Sequence, residues 1–363
     1  MKKNFFMLAA TAALFAACAE TDLVNEVNMV DENQAIEFET FTNKATRAEA
    51  ENSNATGTSA LKAHHADFAV WAYKNTDETN YVFGTSTKVG VKVNSSTYAY
   101  SSKKYWDKSA TKYEFYAAAP DNGKWELIAN TTSQADDYFT YADFSLTGTS
   151  LAHKTLQSSF ETVADCDLMI ASKATVTSIP STVNLEFNHI LSRLNITVAK
   201  GTGIANTDLL ELKSISVNNL VQNGTFTESA AVKSGTTTRW SSASSPEDYD
   251  INGYALSKVT STEAYVFQAL VIPQTVEFEA PKRDGSDINA TTSAPYIVLE
   301  YEIGGEPYKA VYNLAAAFGS TSTPIAFNEG YQNTLNITID AADIEFTANT
   351  FAWDNVSEDK NID

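Results

Sequence analysis

Cysteine and histidine are scarce in this chain of 363 residues. There are two of the first, Cys18 and Cys166, and four of the second. Two cysteines exclude a disulfide framework and a multi-cysteine metal site. His64 and His65 are adjacent, so a strand would point them to opposite sides, and no carboxylate or further histidine has ligand spacing to them. They read as surface residues. His153 falls in a polar, loop-like stretch, and His189 in Phe187-Asn188-His189-Ile190 reads as a hydrogen-bonded core histidine. Basic residues are few as well: 25 Lys and Arg against 45 Asp and Glu, a formal net charge of −20. Without a cationic face for phosphates, nucleic acid is excluded as a partner. No Gly-x-Ser-x-Gly, Walker-type or zinc motif occurs, and carboxylates are too common for any pair to stand out as glycosidase groups. No catalytic residue, metal ligand or cofactor site can be nominated, and the chain is not expected to be an enzyme. Helical periodicity is nearly absent and no solenoid repeat is visible.

What is present is apolar and aromatic: 43% hydrophobic and 11% aromatic residues. That excludes a disordered chain and can fill a sizeable core, and the length suits two domains. Runs with strand character recur to the end, with Gly, Asn, Pro and Ser/Thr between them. They are Asp67–Tyr73, Lys88–Val93, Tyr113–Ala118, Val183–Phe187, Leu191–Ala199, Leu212–Val217, Ala264–Ile272, Tyr296–Ile303 and Thr334–Ile339. Several alternate with period two, the pattern of antiparallel sandwiches. Gly304-Gly305 reads as a hairpin turn and Asn313–Phe318 as a short helix. Cys166 opens the strand-like Cys166-Asp167-Leu168-Met169-Ile170 and reads as a buried thiol. Ile179-Pro180-Ser181 is the best single break, so two β-sandwich domains are expected, 48–180 and 181–363.

The N-terminus reads as an address. Met1-Lys2-Lys3 is positive, and Phe5–Ala17 is apolar apart from Thr11, too short to span a bilayer and suited to a signal-peptide core. It ends in Leu14-Phe15-Ala16-Ala17-Cys18. This resembles the lipobox of bacterial lipoproteins, with Phe15 where leucine is usual, which makes 1–17 the signal peptide and Cys18 the lipidated residue. Acyl chains contribute about 0.8 kcal/mol per buried methylene, so two or three hold a protein on a membrane. Glu20 and Asp22 resemble the acidic export signal of surface lipoproteins in Bacteroides-like bacteria.

Ile36 and Phe38 flank Glu37 in a short strand pattern, Ala35–Phe41. Residues 42–59 follow with no periodicity and few large apolar side chains, a linker. Arg47 sits in it between small residues. Of the other arginines, Arg193 falls in a strand pattern, and Arg239 and Arg283 fall in loop-like segments. An extended linker is what an arginine-specific protease needs.

Five passages together resemble the fimbrillin family (FimA/Mfa-like), subunits of type V pili in Bacteroides and Porphyromonas relatives. They are the lipobox-like end at Cys18; Ile36-Glu37-Phe38 followed by Ala45-Thr46-Arg47-Ala48; Phe187-Asn188-His189-Ile190-Leu191-Ser192-Arg193-Leu194; Val271-Ile272-Pro273-Gln274; and Gly330-Tyr331-Gln332-Asn333 leading into Leu335-Asn336-Ile337-Thr338-Ile339. The resemblance implies an all-β fold of two transthyretin-like antiparallel sandwiches. It also implies export as an outer-membrane lipoprotein precursor and cleavage between Arg47 and Ala48 by an arginine-specific protease, which removes the propeptide 18–47. Assembly with copies of itself or related subunits would then build a surface fimbrium that adheres to host or bacterial surfaces.

A sandwich that loses its first strand exposes an apolar groove and an unpaired edge, which a strand of another chain can fill. Ile36-Glu37-Phe38 recurs as Ile344-Glu345-Phe346 near the C-terminus, with Phe351 and Trp353 beyond it. Ile36 and Phe38 are therefore the candidate displaced anchors, and Ile344, Phe346, Phe351 and Trp353 the candidate donor anchors. Val276-Glu277-Phe278 shows that such triplets also occur elsewhere. The alternative is a surface glycan-binding lipoprotein that stacks sugars on exposed aromatics such as Tyr105/Trp106 or Trp240.

Overall fold

A computed structural model describes residues 34–42, 68–75, 77–83, 88–93, 98–100, 103–128, 137–146, 152–153, 167–180, 182–205, 210–228, 239–242, 247–250, 265–279, 294–341 and 344–352. The expectations for 1–17, Cys18, Arg47, Ala48, His64, His65, Cys166, Arg283 and Trp353, and for the side chain of Phe351, lie outside what is described.

Strands dominate these residues. In chain order they are β1 (Phe38–Thr42), β2 (Phe68–Lys74), β3 (Asp77–Tyr81), β4 (Lys88–Val93), β5 (Tyr98–Ala99), β6 (Tyr113–Ala119), β7 (Trp125–Ile128), β8 (Tyr138–Ser145), β9 (Ala152–His153), β10 (Met169–Val176), β11 (Val183–His189) and β12 (Ser192–Lys200). There follow β13 (Leu210–Leu220), β14 (Asn223–Thr227), β15 (Trp240–Ser242), β16 (Glu247–Asp250), β17 (Tyr265–Val271), β18 (Gln274–Val276), β19 (Tyr296–Ile303), β20 (Glu306–Asn313), β21 (Ile325–Phe327), β22 (Tyr331–Ile339) and β23 (Ile344–Ala352). One short helix, α1 (Leu314–Ala317), interrupts them; the Asn313 side chain caps it by accepting from the Ala316 N–H. Gly304 and Gly305 have φ of 61° and 91° in the β19–β20 hairpin, the left-handed pair a two-residue turn of this hand requires.

β1-β11-β10-β6-β2-β4-β5 form one sheet with β3 beside β2. Its central strands are buried on both faces, which explains why Phe68–Tyr73 is apolar throughout instead of alternating. Val70 and Ala72 face one core with Phe68, Phe115 and Phe187. Ala69, Trp71 and Tyr73 face another, shared with Trp125, Phe139, Phe226 and Trp240 of the β15-β14-β8-β7 sheet. A third core lies between β23-β22-β12-β17-β9 and β16-β13-β19-β20, where Ile196, Phe267 and Ile337 meet Leu212, Val217 and Leu299. The two sheets around this third core form a β-sandwich.

One expectation changes. The sheets are mixed: β1 runs parallel to β11, and β12 parallel to β22. Hydrogen bonding also passes through the break at 180/181, because β11 joins the strands that precede it. The chain moves from one sheet to the next at Ile190-Leu191. There the Ile190 N–H donates to Leu168 O, the Trp240 indole donates to Ile190 O, and the Gly330 N–H donates to Leu191 O. Strands from before and after position 180 also share one sheet, β8 with β14.

Candidate strand-exchange site

Residues 34–42 lie at the margin of the first sheet. Alternation seats them: Ile36 is 0% exposed and Phe38 6%, while Glu37 and Glu39 face solvent. The strand proper begins at Phe38, later than the pattern suggests. Ile36 belongs to an extended lead-in in which Ala35 bridges antiparallel to Tyr105. From Phe38 to Thr42 the partner is β11, in parallel register Phe38↔Val183, Thr40↔Leu185, Thr42↔Phe187.

Two different walls therefore hold the segment. The first is a clasp, Tyr100 with residues 103–106. The Ile36 N–H donates to Lys104 O at 2.8 Å, the Trp106 N–H donates to Gln34 O at 3.2 Å, and the Tyr100 hydroxyl donates to Ile36 O at 2.8 Å. Burial pushes the Tyr100 phenol above its ordinary pKa, with its Lys104 main-chain bond pulling the other way, so it serves as a neutral donor. The second wall is β11, whose Val183 N–H donates to Glu37 O at 2.7 Å. Below both lies an aromatic box: Phe38 has ring centroids at 5.9 Å from Tyr100, 6.0 Å from Phe115, 6.3 Å from Phe83 and 6.4 Å from Phe68. Lys103 reaches Glu37 at 3.9 Å, an exposed pair of little energetic weight.

The clasp has its own anchorage. Asp107 accepts from Lys74 at 2.7 Å and from the Ser109 N–H and hydroxyl, and these bonds hold its carboxyl well below the usual carboxylate range. The Asp107 N–H donates to the Tyr113 hydroxyl at 2.6 Å.

Near the C-terminus, β23 occupies an edge of the β23-β22-β12-β17-β9 sheet. It pairs antiparallel with β22 from Ile339↔Ile344 to Tyr331↔Ala352. Ile344, Phe346 and Ala348 are half-buried against the third core, Glu345 and Thr347 are exposed, and Phe346 meets Tyr312 at 4.5 Å. The tail thus has the in–out phase of residues 36–39, with looser burial, and in this state it is folded on its own chain.

The expected site residues fall into two separate places: Ile36 and Phe38 in the first sheet, Ile344 and Phe346 in the β22 sheet. Sequence reasoning missed Tyr100, Phe83, Phe115 and Lys104. They are scattered aromatics and a main-chain carbonyl, brought together only by the sheet, and nothing local marks them. His189 is a buried core histidine whose Nδ1 lies 3.0 Å from Asp167, and Arg193 is buried on β12, donating to Gln268 at 2.7 Å. Arg239 is no loose-loop residue: it is paired with Glu329 and Glu228 and lies 5.0 Å over the Phe226 ring. Trp106 and Trp240 are buried, which removes two of the three aromatics a sugar-binding surface would use; Tyr105 is 53% exposed. Among the described residues no group of three metal-ligating side chains occurs, and no helix is long and apolar enough to cross a membrane.

The remaining motif passages are structural. Gln274 closes both main-chain groups of Val221, accepting from its N–H at 2.9 Å and donating to its carbonyl at 3.2 Å. Asn333 donates to the Ser192 hydroxyl at 2.9 Å and accepts from Thr350 of β23 at 3.1 Å.

Among curated proteins none matches the sequence. A family model described as fimbrillin-like matches residues 40–353. Solved structures that the chain matches include a candidate cell adhesion protein from Bacteroides uniformis, at 17% identity and TM-score 0.49, covering 88% of this chain and 98% of that one. A fimbrial protein from Bacteroides vulgatus follows at 16% and 0.47, covering 88% and 100%. The tip fimbrial protein Mfa3 from Porphyromonas gingivalis matches at 10% and 0.39, covering 79% and 94%.

Proposed function

Because the chain belongs to the fimbrillin-like family, whose model spans most of its length, we propose that it is a structural subunit of cell-surface fimbriae, assembled with other fimbrial subunits. In this reading residues 1–17 direct export, Cys18 carries the lipid that holds the precursor at the outer membrane, and an arginine-specific protease cuts between Arg47 and Ala48. The mature subunit is Ala48–Asp363, two transthyretin-like sandwiches. The C-terminal segment of one copy, with Ile344 and Phe346 as leading anchors and Phe351 and Trp353 beyond, fills the slot that Ile36 and Phe38 leave in the next.

One observation carries this: the segment ahead of Arg47 is an edge strand seated in an aromatic box. Its loss would open an apolar slot between a sheet edge and a clasp. Burial of each large anchor contributes about 1.5–3 kcal/mol, and ordering each strand residue costs about 1–2 kcal/mol of backbone entropy. A tethered strand and an incoming one of like sequence gain similar amounts, so the tethered one wins through its higher effective concentration until it is cut away. Cleavage is therefore the gate.

Mass spectrometry of the mature N-terminus should find Ala48, and Arg47→Ala should leave acylated monomers in place of ladders on gently heated gels. Normal polymers from Arg47→Ala would reject the gate.

A further inference from the structure

Seven residues of the tail repeat the displaced strand in phase. Aligned without a gap, Ile36-Glu37-Phe38-Glu39-Thr40-Phe41-Thr42 faces Ile344-Glu345-Phe346-Thr347-Ala348-Asn349-Thr350. In β1 the positions that share a face with the buried Val183, Leu185 and Phe187 are 38, 40 and 42, and Ile36 continues that phase. The tail offers Ile, Phe, Ala and Thr there against Ile, Phe, Thr and Thr, so three of the four are kept and the other loses one hydroxyl and one methyl. The two substitutions that change character, Glu39 to Thr347 and Phe41 to Asn349, fall in the outward phase. In the tail's present seat the same residues, Ile344, Phe346 and Ala348, face the core. The rival triplet fails this comparison. Val276-Glu277-Phe278 continues as Glu279-Ala280-Pro281-Lys282, which sets a lysine at the fourth inward position and removes a main-chain donor beside it.

We propose that residues 344–350 of a second copy enter the slot in parallel to β11 in this one register, Ile344 at the place of Ile36 and Phe346 at that of Phe38. The aromatic box of Phe68, Phe83, Tyr100 and Phe115 and the clasp at Lys104–Trp106 select it. The proposal rests on the donor-strand reading above. The register follows from two fixed points, the ring at position 38 and the main chain at position 36. The box accepts one ring, and the Tyr100 hydroxyl and the Lys104 carbonyl together bind the main chain two residues ahead of it. A shift of one residue turns every inward side chain out, and a shift of two places Ala348 or Ile344, neither of them a ring, in the box. Phe351 and Trp353 are of opposite parity to Phe346, so they lie outside this inward row.

Cysteine pairs test the register in Cys166→Ser chains cut after Arg47 and left to polymerise. Glu39 pairs with Asn184 and Phe41 with Glu186 in β1, and Asn184 is exposed. On oxidation, Asn184→Cys with Thr347→Cys, and Glu186→Cys with Asn349→Cys, should each give covalent ladders, while Asn184→Cys with Asn349→Cys should stay below a tenth of their yield. Ladders from the last pair instead overturn the register but leave strand donation standing. Polymers without ladders from any pair overturn the inference. Polymers that also persist in chains truncated after Asp343 overturn donation itself. If cysteine variants fail to assemble, Phe346→Ala should still reduce polymer at least tenfold and Thr347→Ala less than twofold; the reverse order sinks the proposal.

Discussion

Phe38 illustrates how one side chain reports which form of the molecule is present. Its ring sits in the aromatic box with four other rings around it. Large-to-small changes at fully buried aromatics cost about 3–5 kcal/mol, the transfer loss plus the cavity left behind. Phe38→Ala should lower the stability of the uncut chain by that amount in denaturant titration, and leave the chain that begins at Ala48 unchanged, because the residue has gone. Equal losses in both forms would mean that the segment stays bound after cleavage. The pair Ile36/Phe38 was legible in the sequence because it alternates. The box was not: Phe68, Phe83, Tyr100 and Phe115 are spread over nearly fifty positions and share no local pattern.

At the scale of the element, the clasp depends on a carboxylate. Asp107 is half-buried, and its bonds from Lys74 and Ser109 hold its pKa below the ordinary 3.8. A depressed carboxyl contributes stability that is present above the ordinary value and is lost as pH falls below it toward the folded value. The uncut chain should therefore hold its 103–111 loop more tightly than Asp107→Asn at neutral pH, and the difference should shrink progressively as pH falls from 3.8 toward the folded value. Hydrogen exchange of Lys104 and Trp106 across that range measures it; a difference that persists at low pH would assign the clasp's order to packing alone. Strands such as Lys88–Val93 and Tyr296–Ile303 fall where alternation and turn residues set them. β1 and β12 run parallel to a neighbour, which no period-two pattern reveals, since alternation fixes which face a residue takes and not which partner lies alongside.

Across the whole molecule, Arg239 ties the β15-β14-β8-β7 sheet to the turn that opens β22, through Glu329 and Glu228. Burial raises the Glu329 carboxyl above its ordinary 4.5, and Arg239 opposes that shift. Removal of the guanidinium leaves desolvation unopposed, so the folded pKa climbs further. A raised carboxyl favours the folded state below the ordinary value, and that advantage is lost as pH rises through the folded one. Arg239→Ala should thus cost about 1–3 kcal/mol near neutral pH and distinctly less near pH 4, read from denaturation midpoints. A penalty independent of pH would assign the loss to the Phe226 ring contact instead. By itself the sequence determined an all-β chain, the absence of a nominated catalytic or metal site, and a tail that repeats an early strand, because composition and period-two alternation are local properties. Only the tertiary structure decided that the early strand is wedged between β11 and a distant clasp, and that sheets join strands from both sides of Pro180. Strand partners are chosen by shared burial between residues far apart in the chain, and no local window of sequence contains both members of such a pair.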